Sequence, residues 1–207
     1  MAKPKVVPAI LARNEEELFA MVEEVRSWKS PVHFDIVDGI FAKPKSATGS
    51  LVSRLLAGSE VHLMVQEPLR WKKALEQWKP SVVILHPESD GCSAMMTWCK
   101  NQHIKVRLAL SLTTDIEVVQ KFATKISGFH IMMGKIGKYG SALQPKRFVL
   151  LTALHERYPK LVFSVDVGIN NTTWKTAQHA GASVAAVGSA IFTSKHPREA
   201  WLKLSST

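Results

Sequence analysis

Val6-Val7-Pro8-Ala9-Ile10-Leu11, an amphipathic run over residues 15–28, and Val32-His33-Phe34-Asp35-Ile36 follow one another near the start of the chain. The first and third segments are short and apolar, as strands buried on both faces are. The middle segment carries its apolar side chains at helical spacing. Asn14, just before it, offers an oxygen to the open N–H groups of the first turn. A strand, a helix and a second strand in this order form a parallel crossover unit.

The alternation continues to the end of the chain. Strands are expected at 61–65, 82–85, 105–110, 128–133, 161–165 and 183–187. Helices are expected at 49–56, 69–78 (entered through Pro68), 93–101, 116–122 (capped by Asp115), 146–158, 174–179 and 197–204. Eight strand–helix pairs in 207 residues predict an α/β chain folded as a single (β/α)8 TIM barrel, one domain over 1–207. A doubly wound nucleotide-binding sheet would place a glycine-rich turn after the first strand, and Leu11-Ala12-Arg13-Asn14 has no glycine.

Composition narrows the function classes. With 46% hydrophobic and 21% charged residues, the chain reads as an ordinary globular protein rather than a disordered one. The formal charge of +10 raises nucleic acid, an anionic membrane or a phosphorylated ligand as partners. The Lys and Arg residues are scattered and form no block, so nucleic acid is not expected and most of the charge is read as a solvated face. No run reaches the roughly 20 apolar residues of a membrane span, and the apolar run after Lys5 is broken by Pro8 and Arg13. A cytoplasmic location is expected. Cys92 and Cys99, seven apart, match no zinc spacing and are read as reduced, packed thiols.

The chemistry concentrates where strands give out. His33 and Asp35 are two apart in an extended segment and project to one face. His62 and Asp166 hold equivalent places in the third and seventh strands. A barrel brings all four to the end where the loops after strands build active sites. Two imidazoles and two carboxylates form a ligand set for one divalent metal ion, and two carboxylates also serve acid–base chemistry. His86 ranks below them as a lining or supporting residue, and Asp38 is read as ordering its loop. His103, His130, His155, His179 and His196 are assigned no chemistry. Gly168 and Gly188, followed by Ser189, stand after strands seven and eight, where barrels of this kind bind phosphate through backbone N–H groups.

Several of these segments together resemble the ribulose-phosphate 3-epimerase family. Val32 to Gly39 is similar to its His-x-Asp-x-Met-Asp-Gly signature, Val61-His62-Leu63-Met64-Val65 to its second metal-histidine strand, and Ser164 to Asn170 to its Val-Asp-Gly-Gly-Val strand. Ala180-Gly181-Ala182 and Val187 to Phe192 resemble its closing segment, and the likeness runs in order from Pro8 to Phe192. The resemblance implies a metal-dependent isomerase that interconverts D-ribulose 5-phosphate and D-xylulose 5-phosphate. It implies one ion, zinc or else iron, manganese or cobalt, held by His33, Asp35, His62 and Asp166. Asp35 and Asp166 would act as acid and base from opposite faces through an enediolate. Substrate or phosphate contacts would come from His62, Gly137, Gly140, Gly168, Gly188 and Ser189, with Met64 and Met132 as lining. A homo-oligomer is implied as well.

The chain departs from the family pattern at Ala12-Arg13-Asn14, where the family has Ser-Ala-Asp, and at Val37 and Val167, where it has Met and Gly. The family's Pro-Gly-Phe-Gly-Gly-Gln loop is Ile136 to Ser141 here, so Lys135 or Lys138 is a candidate replacement for its anion contacts. These departures leave a hexulose-6-phosphate 3-epimerase and a non-catalytic metabolite-binding descendant as alternatives. A related decarboxylase is disfavoured, because Asp35-Ile36-Val37-Asp38 lacks the Asp-x-Lys-x-x-Asp arrangement.

Overall fold

The computed structural model describes residues 5–48, 58–136 and 141–207. Its eight strands are β1 Lys5–Ile10, β2 His33–Val37, β3 Glu60–Met64, β4 Val82–Leu85, β5 Lys105–Leu110, β6 Gly128–Met132, β7 Val162–Asp166 and β8 Val184–Val187. Every neighbouring pair is parallel, and β8 returns to β1, so the sheet closes as a barrel in chain order. The TIM barrel is therefore the fold, as expected. The helix expected at 49–56 lies outside the described residues.

The described helices are α1 Glu15–Arg26, α2 Lys72–Trp78, α3 Cys92–Asn101, α4 Glu117–Phe122, α5 Lys146–Arg157, α6 Asn171–His179, α7 Ser189–Phe192 and α8 Pro197–Ser205. Asn14 caps α1, its Oδ1 accepting from the Glu17 N–H at 2.8 Å. A 3-10 turn, Pro68–Trp71, precedes α2, with proline at the start where a missing N–H leaves no gap. Asp115 is not the cap residue of α4, but its Oδ1 does accept from the Glu117 N–H at 3.0 Å.

Two different cores result. Between strands and helices lies a continuous apolar layer that includes Phe34, Leu63, Val83, Leu108, Phe129, Phe163 and Trp174. Cys92 and Cys99 sit buried in it as free thiols. Inside the barrel the apolar cluster is small, Val82, Ile84 and Ala109. His33, Glu60, His62, Arg107, His130, Ser164 and Asp166 are buried polar groups on the barrel strands, with His86 just past the end of β4. Burying so many polar groups is unfavourable unless each finds a partner, which points to function inside the barrel.

Candidate active site and metal centre

Register places the site. In β2 and β3, Asp35 lies opposite His62 and His33 opposite Glu60. In β6 and β7, Met132 lies opposite Asp166 and His130 opposite Ser164. Asp35 Oδ1 is 3.2 Å from His33 Nε2 and 2.9 Å from His62 Nδ1. His130 Nε2 is 3.5 Å from Asp166 Oδ2. The His33 and His130 rings stack with centroids 5.3 Å apart, and His62 meets His130 edge-on at 4.9 Å.

Ligand-type atoms of His33, His62, His130 and Asp166 all lie within 4.8 Å of one another. Three imidazoles and a carboxylate are donors that suit a divalent ion, and the group could bind one. Asp35 stands outside this foursome but touches two of its members. His130, to which the sequence reading gave no chemistry, is part of the group. The signal was there: His130 precedes Met132 by two residues, so in one strand the two share a face, as His33 and Asp35 do.

Supporting contacts fix the rings. Glu60 Oε2 accepts from His33 Nδ1 at 3.3 Å, which turns His33 Nε2 toward the site. Arg107 Nη1 donates to Glu60 Oε1 at 2.7 Å. A carboxylate behind a metal-binding imidazole holds its tautomer and orientation. Neither Glu60 nor Arg107 was picked out as functional by sequence, because isolated charges in a basic chain read as surface. His62 Nε2 lies 2.9 Å from His86 Nε2. Glu88, 3.8 Å from His86 Nδ1, accepts from the Thr114 hydroxyl. His86 thus contacts His62 and is not among the residues that line the cavity.

The electrostatics separate the two carboxylates. Burial pushes Asp35 toward its neutral form, but the charges and hydrogen bonds of His33 and His62 outweigh it and hold the pKa well below the usual carboxylate range. Burial and the nearby Asp35 charge together push Asp166 up to about 6. The two carboxylates thus differ in proton affinity, Asp35 being the more acidic of the pair. Burial opposes charge on His33, yet Asp35 and Glu60 raise it to about 10. His130 is pushed well below the ordinary value by burial and then by His62 and His33. Burial disfavours charge on Glu60 too, but His33 and Arg107 bring it down to about 2.

Asp35 and Asp166 line one narrow cavity of about 50 Å³ at the mouth of the barrel. Two strands, β1 and β8, separate them along the sheet, and the small side chains Ala9 and Ala186 leave the space between them open. Met64 and Met132 line the same cavity, as do Gly168, Gly188 and Ser189. Gly168 has a positive φ of 71°, and a Cβ there would come within 2.8 Å of Leu143. Val167 is also left-handed, φ 73°, an uncommon conformation for a β-branched residue. Its N–H donates to Asp166 Oδ1 at 2.6 Å, so the strained residue helps to aim the carboxylate.

The other expectations divide. Asp38 orders its loop, accepting from the Ile40, Phe41 and Gln66 N–H groups. Lys135 is exposed. Gly137, Lys138 and Gly140 lie outside the described residues. His103, His155, His179 and His196 fall on helices or at their ends, away from the cluster. No helix among the described residues is long and apolar enough to cross a membrane.

Comparison with known proteins completes the picture. The model of the "Ribulose-phosphate 3 epimerase family" matches residues 5–192. A ribulose-phosphate 3-epimerase of Candida glabrata is 27% identical, covering 96% of this chain and 90% of its own length. A protein of Oryza sativa subsp. japonica named "Ribulose-phosphate 3-epimerase, cytoplasmic isoform" is also 27% identical, covering 96% of this chain and 91% of its own. Among solved structures, the 3-hexulose-6-phosphate synthase of Salmonella typhimurium shares the barrel at a TM-score of 0.69 and 14% identity, with 98% of this chain and 97% of that one covered. Because the family match spans the whole barrel, including both carboxylate strands, this chain belongs to the ribulose-phosphate 3-epimerase family, a family of isomerases.

Proposed function

We propose that this protein epimerises C3 of a ketose phosphate, interconverting D-ribulose 5-phosphate and D-xylulose 5-phosphate, with one divalent ion at the His33, Asp35, His62 and Asp166 cluster. The observation that carries this reading is the pair of carboxylates, Asp35 and Asp166, facing one cavity from strands on either side of β1 and β8. Inverting a carbon through a planar intermediate requires a base on one face and an acid on the other.

In the direction where Asp35 starts the reaction, its oxygen takes the C3 proton. The C–H electron pair becomes the C2–C3 double bond, and the C2 carbonyl oxygen takes the negative charge of an enediolate. Asp166 then delivers its proton to the far face of C3 and the carbonyl re-forms. The reverse reaction uses the same groups with their roles exchanged. A bound divalent ion would supply Lewis-acid stabilisation of the oxyanion. His33 and His62 orient Asp35 through its Oδ1. The Val167 N–H fixes Asp166. Met64, Met132 and Ala186 keep water from the planar carbon. Gly168, Gly188 and Ser189 are the proposed phosphate contacts, joined by Gly137 and Gly140.

Zinc is the proposed ion, with iron, manganese or cobalt as substitutes. The chain is proposed to act as one domain over 1–207, as a homo-oligomer and in the cytoplasm. The last is supported by the name of the rice relative. The departures from the family pattern at Ala12, Val37 and Val167 keep a hexulose 6-phosphate as the second substrate to try. The test is proton NMR of D-ribulose 5-phosphate in deuterium oxide, with zinc- or iron-loaded protein and a chelated control. Metal-dependent deuterium entry at C3 with growth of D-xylulose 5-phosphate is expected. No exchange by metal-loaded protein overturns the pentulose assignment, and no exchange with hexulose 6-phosphates either leaves a binding protein.

A further inference from the structure

We propose that His130 is a ligand of the divalent ion bound here, so that this chain holds its metal with three imidazoles rather than two; this rests on the metal-dependent reading above and deepens it. The case begins with the proton on the His130 ring. Ser164 Oγ lies 3.1 Å from the Phe129 carbonyl oxygen, which can only accept, and 2.8 Å from His130 Nδ1. A serine hydroxyl has one hydrogen. The arrangement that satisfies all three groups has Ser164 donating to Phe129 and His130 Nδ1–H donating to Ser164. The proton therefore sits on Nδ1, and Nε2 carries a bare lone pair.

That lone pair has no hydrogen-bond partner, and the ring is 0% exposed. A buried polar atom left unpaired costs about 1–3 kcal/mol. Nε2 lies 3.5 Å from Asp166 Oδ2, a separation beyond the usual 2.7–3.2 Å hydrogen-bond range. A histidine serving only to pack against Asp166 would instead place its proton on Nε2. His33 is likewise held from behind, its Nδ1 donating to Glu60 Oε2 at 3.3 Å, which turns its Nε2 toward the site. The two rings stack and are each held from behind at Nδ1, as metal-binding histidines are, with His33 Nε2 3.2 Å from Asp35 Oδ1 and His130 Nε2 unpartnered. A cation among His33, His62, His130 and Asp166 would satisfy the orphaned nitrogen.

Three nitrogen donors favour zinc, cobalt, nickel and ferrous iron over manganese and magnesium, whose preference is for oxygen. The experiment uses the full chain loaded with zinc or cobalt. X-ray absorption of the wild-type protein is expected to count three imidazoles. Competition against a chromophoric chelator is expected to show His130→Leu weakening zinc binding by more than about 100-fold. Ser164→Ala, which removes only the support, is expected to weaken it by about 10–100-fold. Two imidazoles in the wild type, or unchanged zinc affinity in a folded His130→Leu protein, overturns the proposal. If that variant fails to fold, the wild-type imidazole count decides. Epimerisation by a protein with two imidazoles on its ion would leave the family function standing and remove this inference alone. Failure of the wild type to bind zinc or cobalt would remove both.

Discussion

The two halves of the site reach similar geometry by different means. From β2 and β3 come His33, Asp35 and His62, backed by an ionised pair, Glu60 and Arg107. From β6 and β7 come His130 and Asp166, backed by the neutral Ser164 hydroxyl and by a left-handed Val167. His33 and His130 stack on each other at equal burial, yet one is driven toward the cation and the other toward the neutral ring. Burial alone therefore does not set the charge of a barrel histidine. Two carboxylates within reach of His33, against a hydroxyl and a more distant carboxylate for His130, decide it.

The largest expected effect is chemical. Asp35→Asn and Asp166→Asn should each lower kcat by about a thousandfold, within the range for losing a general acid or base. Equal loss from both halves would support a shared reaction, and a loss confined to one would break the symmetry.

Next comes the supporting layer. Arg107→Leu leaves Glu60 charged and buried, and should cost about 3–5 kcal/mol in urea unfolding. Ser164→Ala, its counterpart, removes one neutral hydrogen bond and should cost about 1 kcal/mol. Equal costs would mean that the charged backing of His33 is no more consequential than the neutral backing of His130.

Acidity separates the rings further. In metal-free protein His33, raised to about 10, contributes stability that is complete below its unfolded value near 6.5 and is lost as pH rises toward 10. His130 works in the opposite sense. Its neutral form is favoured by folding, so its contribution is complete above about 6.5 and is lost as pH falls. Urea midpoints measured with chelator from pH 5 to 10 should show His33→Asn flattening the alkaline limb and His130→Gln the acid limb. Both variants acting on one limb would refute the difference.

The smallest effect concerns backbone strain. Val37→Gly, in ordinary extended strand, should cost about 3 kcal/mol from lost burial and added chain freedom. Val167→Gly loses a side chain but also releases about 1–3 kcal/mol of left-handed strain, so its net cost should stay under about 1 kcal/mol. Similar costs at both positions would show that Val167 is not strained.

Much of the fold was legible because strand and helix periods differ. The strands at 82–85 and 105–110 lie where the apolar runs place them, and the remaining strand ends move by about one residue because pairing sets them. Val37 extends β2 by pairing with Met64, and Asp166 extends β7 by pairing with Met132. In the site, His33 and Asp35 were legible since their alternation lies within one short strand. His130 was legible only in part: its spacing from Met132 gave its face, but its partners, Ser164 and the stacked His33, are brought to it by closure of the barrel. Glu60 and Arg107, 47 residues apart in sequence, were hidden for the same reason.

The central claim is that Asp35 and Asp166 work on opposite faces of C3. Deuterium entry at C3 should therefore be followed for each pentulose phosphate separately, with metal-loaded Asp35→Asn and Asp166→Asn. Each variant should exchange the C3 proton of one epimer only, and the two variants should choose opposite epimers. Exchange of the same epimer by both variants, or full epimerisation by either, would contradict a two-faced site.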